Sequence, residues 1–185
     1  MTDRRERLRA KLLEIIPPSP NFVWEVGCGH GHFLAAYAAA HPERQCIGID
    51  ISSDRISRAN RKRERARLSN LQFILAEADD FLAVMPEGSR FSAIYILFPD
   101  PWPKRRHHKN RVLKESLLTA AASAARKGTL LCFRTDHEGY FRDAESAIRA
   151  HAEWKISDST ALPFEEPTVF QKRAASHFTL VAARR

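Results

Sequence analysis

Three glycines at alternate positions, in the run Glu25-Val26-Gly27-Cys28-Gly29-His30-Gly31, separate a short apolar segment at 22–26 from a helical pattern at 31–40. Few folds use such a turn. Glycine accepts backbone conformations with positive φ and leaves no Cβ between chain and ligand, so a strand turning into a helix through glycines predicts backbone packed against a bound group. The spacing narrows that group. A dinucleotide fingerprint needs its third glycine one residue later, where His32 stands, and a Walker loop needs Gly-Lys-Ser/Thr, which is absent.

The alternation of strand and helix continues along the chain. Apolar runs at 45–51, 71–76, 91–98 and 129–133 are separated by helical patterns near 53–68, 79–85 and 112–125, and a further one at 137–152 follows. Alternation of this kind builds a parallel sheet covered on both faces. Ahead of the first strand, Leu8, Leu12 and Ile15 recur at helical spacing until Pro17 and Pro18 stop the pattern, which predicts a short amphipathic helix over the sheet. Beyond Trp154 come a strand-like piece, a loop rich in Pro and Glu at 162–167 and a last apolar run at 177–183. Late strands with no long helix between them predict a closing hairpin. The expected architecture is α/β and Rossmann-like, with a mostly parallel seven-stranded sheet, helices on both faces and a C-terminal antiparallel strand.

No repeat, linker or low-complexity block divides the 185 residues, and 44% hydrophobic composition suffices for one core. The formal net charge of +8 favours a polyanionic partner, with nucleic acid first among them. Seven basic residues between Arg55 and Arg67 fall on one predicted helix, which either grips an RNA backbone or is a solvated face. Cys28, Cys46 and Cys132 are odd in number, far apart and set in apolar runs, so they read as reduced core thiols. His30 and His32 lack a third ligand, and no metal is expected. Charges alternate along 3–11 and the apolar stretch at 12–16 is short, so neither a secretory leader nor a membrane span is expected, and the chain reads as soluble and cytoplasmic. Trp24 and Trp154 read as core.

The acidic-x-Gly-x-Gly-x-Gly run resembles that of class I methyltransferases, which bind S-adenosylmethionine with the glycines close to its methionine portion. Asp50 then ends the second strand, where such folds hold both ribose hydroxyls, and Glu77, preferred over Asp79, follows the third, where an acid accepts from the adenine amino group between Ile51 and Ala78. The fourth strand delivers Phe98-Pro99-Asp100-Pro101-Trp102-Pro103-Lys104 and a basic run to the same edge. Three prolines hold Asp100 and Trp102 in place, which suits a reaction centre.

That loop resembles the bacterial tRNA (guanine-N7)-methyltransferase family. Thr135-Asp136-His137-Glu138-Gly139-Tyr140 resembles the family's Thr-Asp segment after the fifth strand, and Thr168-Val169-Phe170-Gln171-Lys172-Arg173 its C-terminal Thr-x-Phe-Glu-x-Arg. The resemblance implies S-adenosylmethionine as cofactor and tRNA as partner, with 7-methylguanosine as product, made by resemblance at the variable-loop guanine. It implies cofactor contacts from Glu25, Gly27, Gly29, Gly31, Asp50, Glu77 and Asp100, with Asp100 also catalytic. Substrate contacts are implied for Lys104, Asp136, Thr168, Val169, Phe170 and Gln171, while Lys104 and the cluster through Arg111 hold phosphates. The expected domain is single: residues 1–20 form a helix and linker, 21–160 the cofactor-binding core, and 161–185 a substrate loop and final strand.

Two positions depart from the family. Gln171 stands where the family has Glu, and an amide cannot accept from two guanine N–H groups as a carboxylate can. The segment before the first strand is short, so RNA docking is expected to lean on other surfaces. Two rival functions follow: methylation of an exocyclic base amine, reading Asp100-Pro101-Trp102 as a variant of the acidic or amide-Pro-Pro-aromatic motif, and a non-catalytic RNA-binding protein that keeps the fold.

Overall fold

Each long apolar run forms a strand: β1 (Asn21–Val26), β2 (Gln45–Asp50), β3 (Leu71–Leu75), β4 (Arg90–Leu97) and β5 (Ala125–Thr135). The computed structural model describes residues 3–16, 21–159, 161–166 and 176–185. The five strands pair in parallel, and β1 and β2 are buried after their first residue, which is why their sequences are almost continuously apolar. β6 (Trp154–Ile156) and β7 (Phe178–Arg184) complete a seven-stranded sheet of order β3-β2-β1-β4-β5-β7-β6. β7 is antiparallel to both neighbours, so the expected hairpin is present with its second strand inserted beside β5.

The helices are α1 (Asp3–Ile15), α2 (His32–Ala40), α3 (Ser53–Arg65), α4 (Ala78–Val84), α5 (Glu115–Ala124) and α6 (Glu138–Ala150). They divide between two core clusters. Leu8 and Leu12 of α1, Phe81 of α4, Leu117 and Leu118 of α5 and Ile148 of α6 pack with Trp24 and Phe91 of the sheet. Phe33 and Leu34 of α2 and Ile56 and Ala59 of α3 pack with Val23, Phe73 and Tyr95. Leu162 joins the second cluster, and the Phe164 ring lies 5.1 Å from Tyr37, so the segment 161–166 closes the same side as α2. Trp24 is stacked between Phe81 at 5.2 Å and Phe91 at 4.9 Å, while Trp154 donates its indole N–H to the Leu118 carbonyl at 3.0 Å. Both are core residues, and truncating either to alanine is worth roughly 3–5 kcal/mol.

Element ends differ from the sequence expectation where side chains intervene. The helix expected from 112 begins at Glu115, because the Leu113 amide donates to the Tyr140 hydroxyl at 3.0 Å rather than entering a helical ladder. The preceding basic run, Arg105–Asn110, forms a 3-10 turn. α3 stops at Arg65, and Arg67 takes a left-handed φ of 52°. The chain steps outward from β1 to β2 and β3, then from β4 to β5, so the order reverses between β1 and β4. That reversal opens a crevice at the carboxyl ends of the strands. Among the described residues no helix is long and apolar enough to cross a membrane. The three cysteines are buried and unpaired with one another.

Candidate active site

The glycine turn sits at that crevice. Gly27, Gly29 and Gly31 hold φ of 73°, 54° and 68°, and a Cβ built on Gly31 would lie 2.4 Å from the Phe73 ring. Gly31 thus answers to internal packing, whereas a Cβ on Gly27 or Gly29 would meet nothing within 4 Å, leaving their backbone open at the edge. The turn is tied from below: the Gly27 and Cys28 amides donate to the Ile49 carbonyl at 2.8 and 2.9 Å. Asp50, only 4% exposed, accepts from the Gly29 amide at 3.0 Å and the Ser52 amide at 2.9 Å. Its carboxylate therefore shapes the turn itself, and each oxygen keeps a second lone pair for a ligand hydroxyl.

Glu25 is buried at the end of β1, and its Oε2 has no hydrogen-bond partner among the described residues. Burial pushes its carboxyl up to about 8; a backbone hydrogen bond from Leu34 offsets this in part, and nearby Asp50 adds to the rise. A buried carboxyl oxygen left without a partner is costly unless a donor arrives. The ammonium of a methionine portion is such a donor. Ile51, 71% exposed directly after β2, gives an uncovered apolar side chain suited to a planar ring. These features fit S-adenosylmethionine. Glu77, exposed at the start of α4, is already engaged: Arg4 of α1 lies 3.0 Å from its Oε1, and Arg4 and Arg5 both bind Asp80. α1 is thereby latched beside the position expected for adenine.

The other half of the edge is built differently. Phe98 and Trp102 hold left-handed φ of 50° and 46°, although each precedes a proline, which ordinarily pushes its predecessor toward extended backbone. Such strain costs about 1–3 kcal/mol per residue and persists only where the surroundings over-determine it. The Phe98 amide donates to the Arg134 carbonyl at 2.7 Å, and the Trp102 ring packs edge-on to His107 at 5.8 Å. Asp100 stands exposed between them, Lys104 is exposed after the last proline, and Asp136 is exposed after β5. His137, next to Asp136, caps α6 by accepting the Tyr140 amide on Nδ1 at 3.1 Å. The expected substrate residues Thr168, Val169, Phe170 and Gln171 lie outside the described residues.

One expectation is corrected. Arg111, expected at the end of the phosphate-holding run, is 4% exposed and turned inward. Its Nε donates to the Pro101 carbonyl at 2.8 Å, Nη1 donates to Asp143, and the guanidinium lies 4.7 Å from the Tyr140 ring centroid. Arg134, also 4% exposed, carries no signal in the sequence. It grips Glu165 through two hydrogen bonds of 2.8 and 2.7 Å and the Thr179 hydroxyl at 2.9 Å, and this contact draws the Glu165 carboxyl below its ordinary range. Neither role carries a local sequence signal beyond a charge beside apolar neighbours. Four of the seven basic residues between Arg55 and Arg67 have partners within the molecule. Arg55 lies 3.7 Å from Asp50, Arg58 pairs with Asp54, Lys62 donates to the His30 carbonyl at 2.9 Å and Arg63 to Gln72. A concavity of about 720 Å³ is lined by Arg58, Arg61, Lys62, Arg65 and Ala66.

A family profile described as "Putative methyltransferase" matches residues 19–178. The chain is 36% identical over 157 residues to a protein of Treponema pallidum named tRNA (guanine-N(7)-)-methyltransferase, covering 85% of this chain and 62% of that protein. A protein of the same name from Thermosynechococcus vestitus is 34% identical over 149 residues, covering 79% of this chain and 68% of its own. Against solved structures, the fold matches an O-methyltransferase from Bacillus cereus in complex with SAH, with a TM-score of 0.65 at 13% identity, covering 100% of this chain and 82% of that one. The architecture is that of class I methyltransferases. By sequence, the chain belongs to the tRNA (guanine-N(7)-)-methyltransferase family.

Proposed function

We propose that this protein transfers a methyl group from S-adenosylmethionine to N7 of a guanine in tRNA, by resemblance the variable-loop guanine. The observation that carries the reading is the Phe98–Lys104 loop: a carboxylate flanked by strained, proline-fixed backbone at the switch point between β1 and β4. The cofactor supplies an electrophilic methyl on a sulfonium. Guanine N7 has a free lone pair at neutral pH, so attack requires alignment and no general base. The purine gains positive charge as the new bond forms, and the Asp100 carboxylate, held in place beforehand, stabilises that charge. Gly27 and Gly29 receive the methionine portion, the orphaned Oε2 of Glu25 takes its ammonium, and Asp50 accepts from the ribose. Glu77 serves the adenine once Arg4 shares or releases it.

On the substrate side Asp136 accepts from the guanine edge, with Thr168, Val169, Phe170 and Gln171 as further contacts. Lys104 and the exposed cations of the 3-10 turn hold neighbouring phosphates, fixing position while the base contacts specify. The 185-residue chain forms one domain, acts in the cytoplasm and needs no metal. The test is incubation with unmodified tRNA and radiolabelled S-adenosylmethionine, followed by nucleoside analysis. Label in 7-methylguanosine is the expected result. Label on an exocyclic amine, or cofactor binding with no transfer, rejects it.

A further inference from the structure

Arg111 spends its guanidinium on the loop that carries Asp100. The acceptor it engages, the Pro101 carbonyl, lies in the peptide between Pro101 and Trp102, next in sequence to Asp100 and directly before the left-handed residue. Fixing that carbonyl fixes the plane of the peptide, which the prolines alone leave free, since they restrict φ and not ψ. The opposite side of the guanidinium reaches α6 through Asp143 and the face of Tyr140. Tyr140 is fully buried, and its hydroxyl accepts the Leu113 amide, so the chain on the far side of Arg111 is tied to the same ring. α6 begins two residues after Asp136.

We propose that Arg111 is a positioning residue for methyl transfer: it holds the Asp100 loop in a set relation to α6, and so to Asp136, without touching the RNA. This rests on the reading of Asp100 given above. A residue bound for a phosphate keeps its donors toward solvent, as the exposed Lys104, Arg105 and Lys109 do, whereas Arg111 is buried with Nε and Nη1 committed. Lysine is a poor substitute, because one ammonium cannot reach the carbonyl and the carboxylate from a planar fork while lying over a ring.

Arg111→Lys, Arg111→Met and the milder Asp143→Asn are assayed with tRNA and S-adenosylmethionine. The expected result for both Arg111 variants is a fall in kcat on the order of tenfold to a hundredfold, with KM for tRNA within about threefold and the salt dependence of tRNA binding unchanged. Asp143→Asn lowers kcat about threefold with the same split. Trp102 is 37% exposed while Trp24 and Trp154 are fully buried, so acrylamide quenching of tryptophan fluorescence reports the loop alone. Quenching should rise about twofold in the Arg111 variants and less in Asp143→Asn. A salt slope reduced by about one with kcat retained would make Arg111 a phosphate ligand and overturn the proposal. So would unchanged kcat and quenching in folded Arg111→Lys and Asp143→Asn. If the wild-type protein methylates no guanine N7, the functional reading fails, and the quenching comparison still decides whether Arg111 holds the loop.

Discussion

The two halves of the sheet's carboxyl edge solve the same problem by opposite means. Beside β1 and β2 the site is made of backbone and buried acids: glycines in left-handed conformations, Asp50 holding two amides, and Glu25 sunk into the core with an unsatisfied oxygen. Beside β4 and β5 it is made of exposed side chains, Asp100 and Lys104 on a proline-fixed loop braced from behind by buried Arg111, and Asp136 just ahead of α6. A small ligand of constant shape can be met by the core itself. If the proposed tRNA substrate is met here, a large polyanion has to be met at the surface, and this half keeps its candidate reacting groups in solvent with rigidity moved one layer inward.

The largest test of this contrast is Asp100→Ala. Turnover in single-turnover methyl transfer should fall by about a thousandfold, while the melting temperature stays within a few degrees, since an exposed carboxylate contributes little to packing. A melting loss as large as that of a core variant would erase the distinction between the halves.

Glu25→Gln probes the buried half. A carboxyl whose folded pKa is raised to about 8 favours the folded state most at low pH, and that contribution is lost as pH rises from the ordinary carboxyl range toward 8. The variant lacks this dependence. Between pH 5.5 and 7.5, urea unfolding of the ligand-free proteins should therefore show Glu25→Gln gaining about 3 kcal/mol relative to wild type. A gap that stays flat or reverses would mean that the acid is ionised and paired in the folded state.

Gly31→Ala should cost about 2 kcal/mol in the same assay, because the new Cβ meets the Phe73 ring at a φ that alanine resists. Gly29→Ala, with open space at its Cβ, should cost less in folding and more in cofactor affinity. The reverse order would relocate the ligand-facing part of the turn. The smallest effect is expected on α3. Arg61→Ala combined with Arg65→Ala should weaken tRNA binding about threefold with little change in turnover, read from titrations at several salt concentrations. A loss of two orders of magnitude would make α3 the main docking surface.

Much of this was legible because it is local. The glycine turn, the proline loop and the strand-end acids Glu25, Asp50 and Asp100 sit where short-range sterics and the strand-helix alternation put them. α5 starts three residues later than its helical pattern for a non-local reason, the Tyr140 hydroxyl taking the Leu113 amide. Glu77 lies at the start of α4, after β3, but its ion pair with Arg4 joins residues far apart in the chain.

What the sequence by itself determined is where the chain turns, which runs are buried and which acids reach the carboxyl edge, since periodicity, glycine and proline act within a few residues. Only the tertiary structure decided which charges are spent inside the molecule. Arg111 reads as one more cation in a basic run and Arg134 as a polar residue in a strand, yet their partners Asp143 and Glu165 lie 32 and 31 residues away. Burial and pairing are properties of the folded surroundings, and a charge is removed from solvent only when packing brings it a partner.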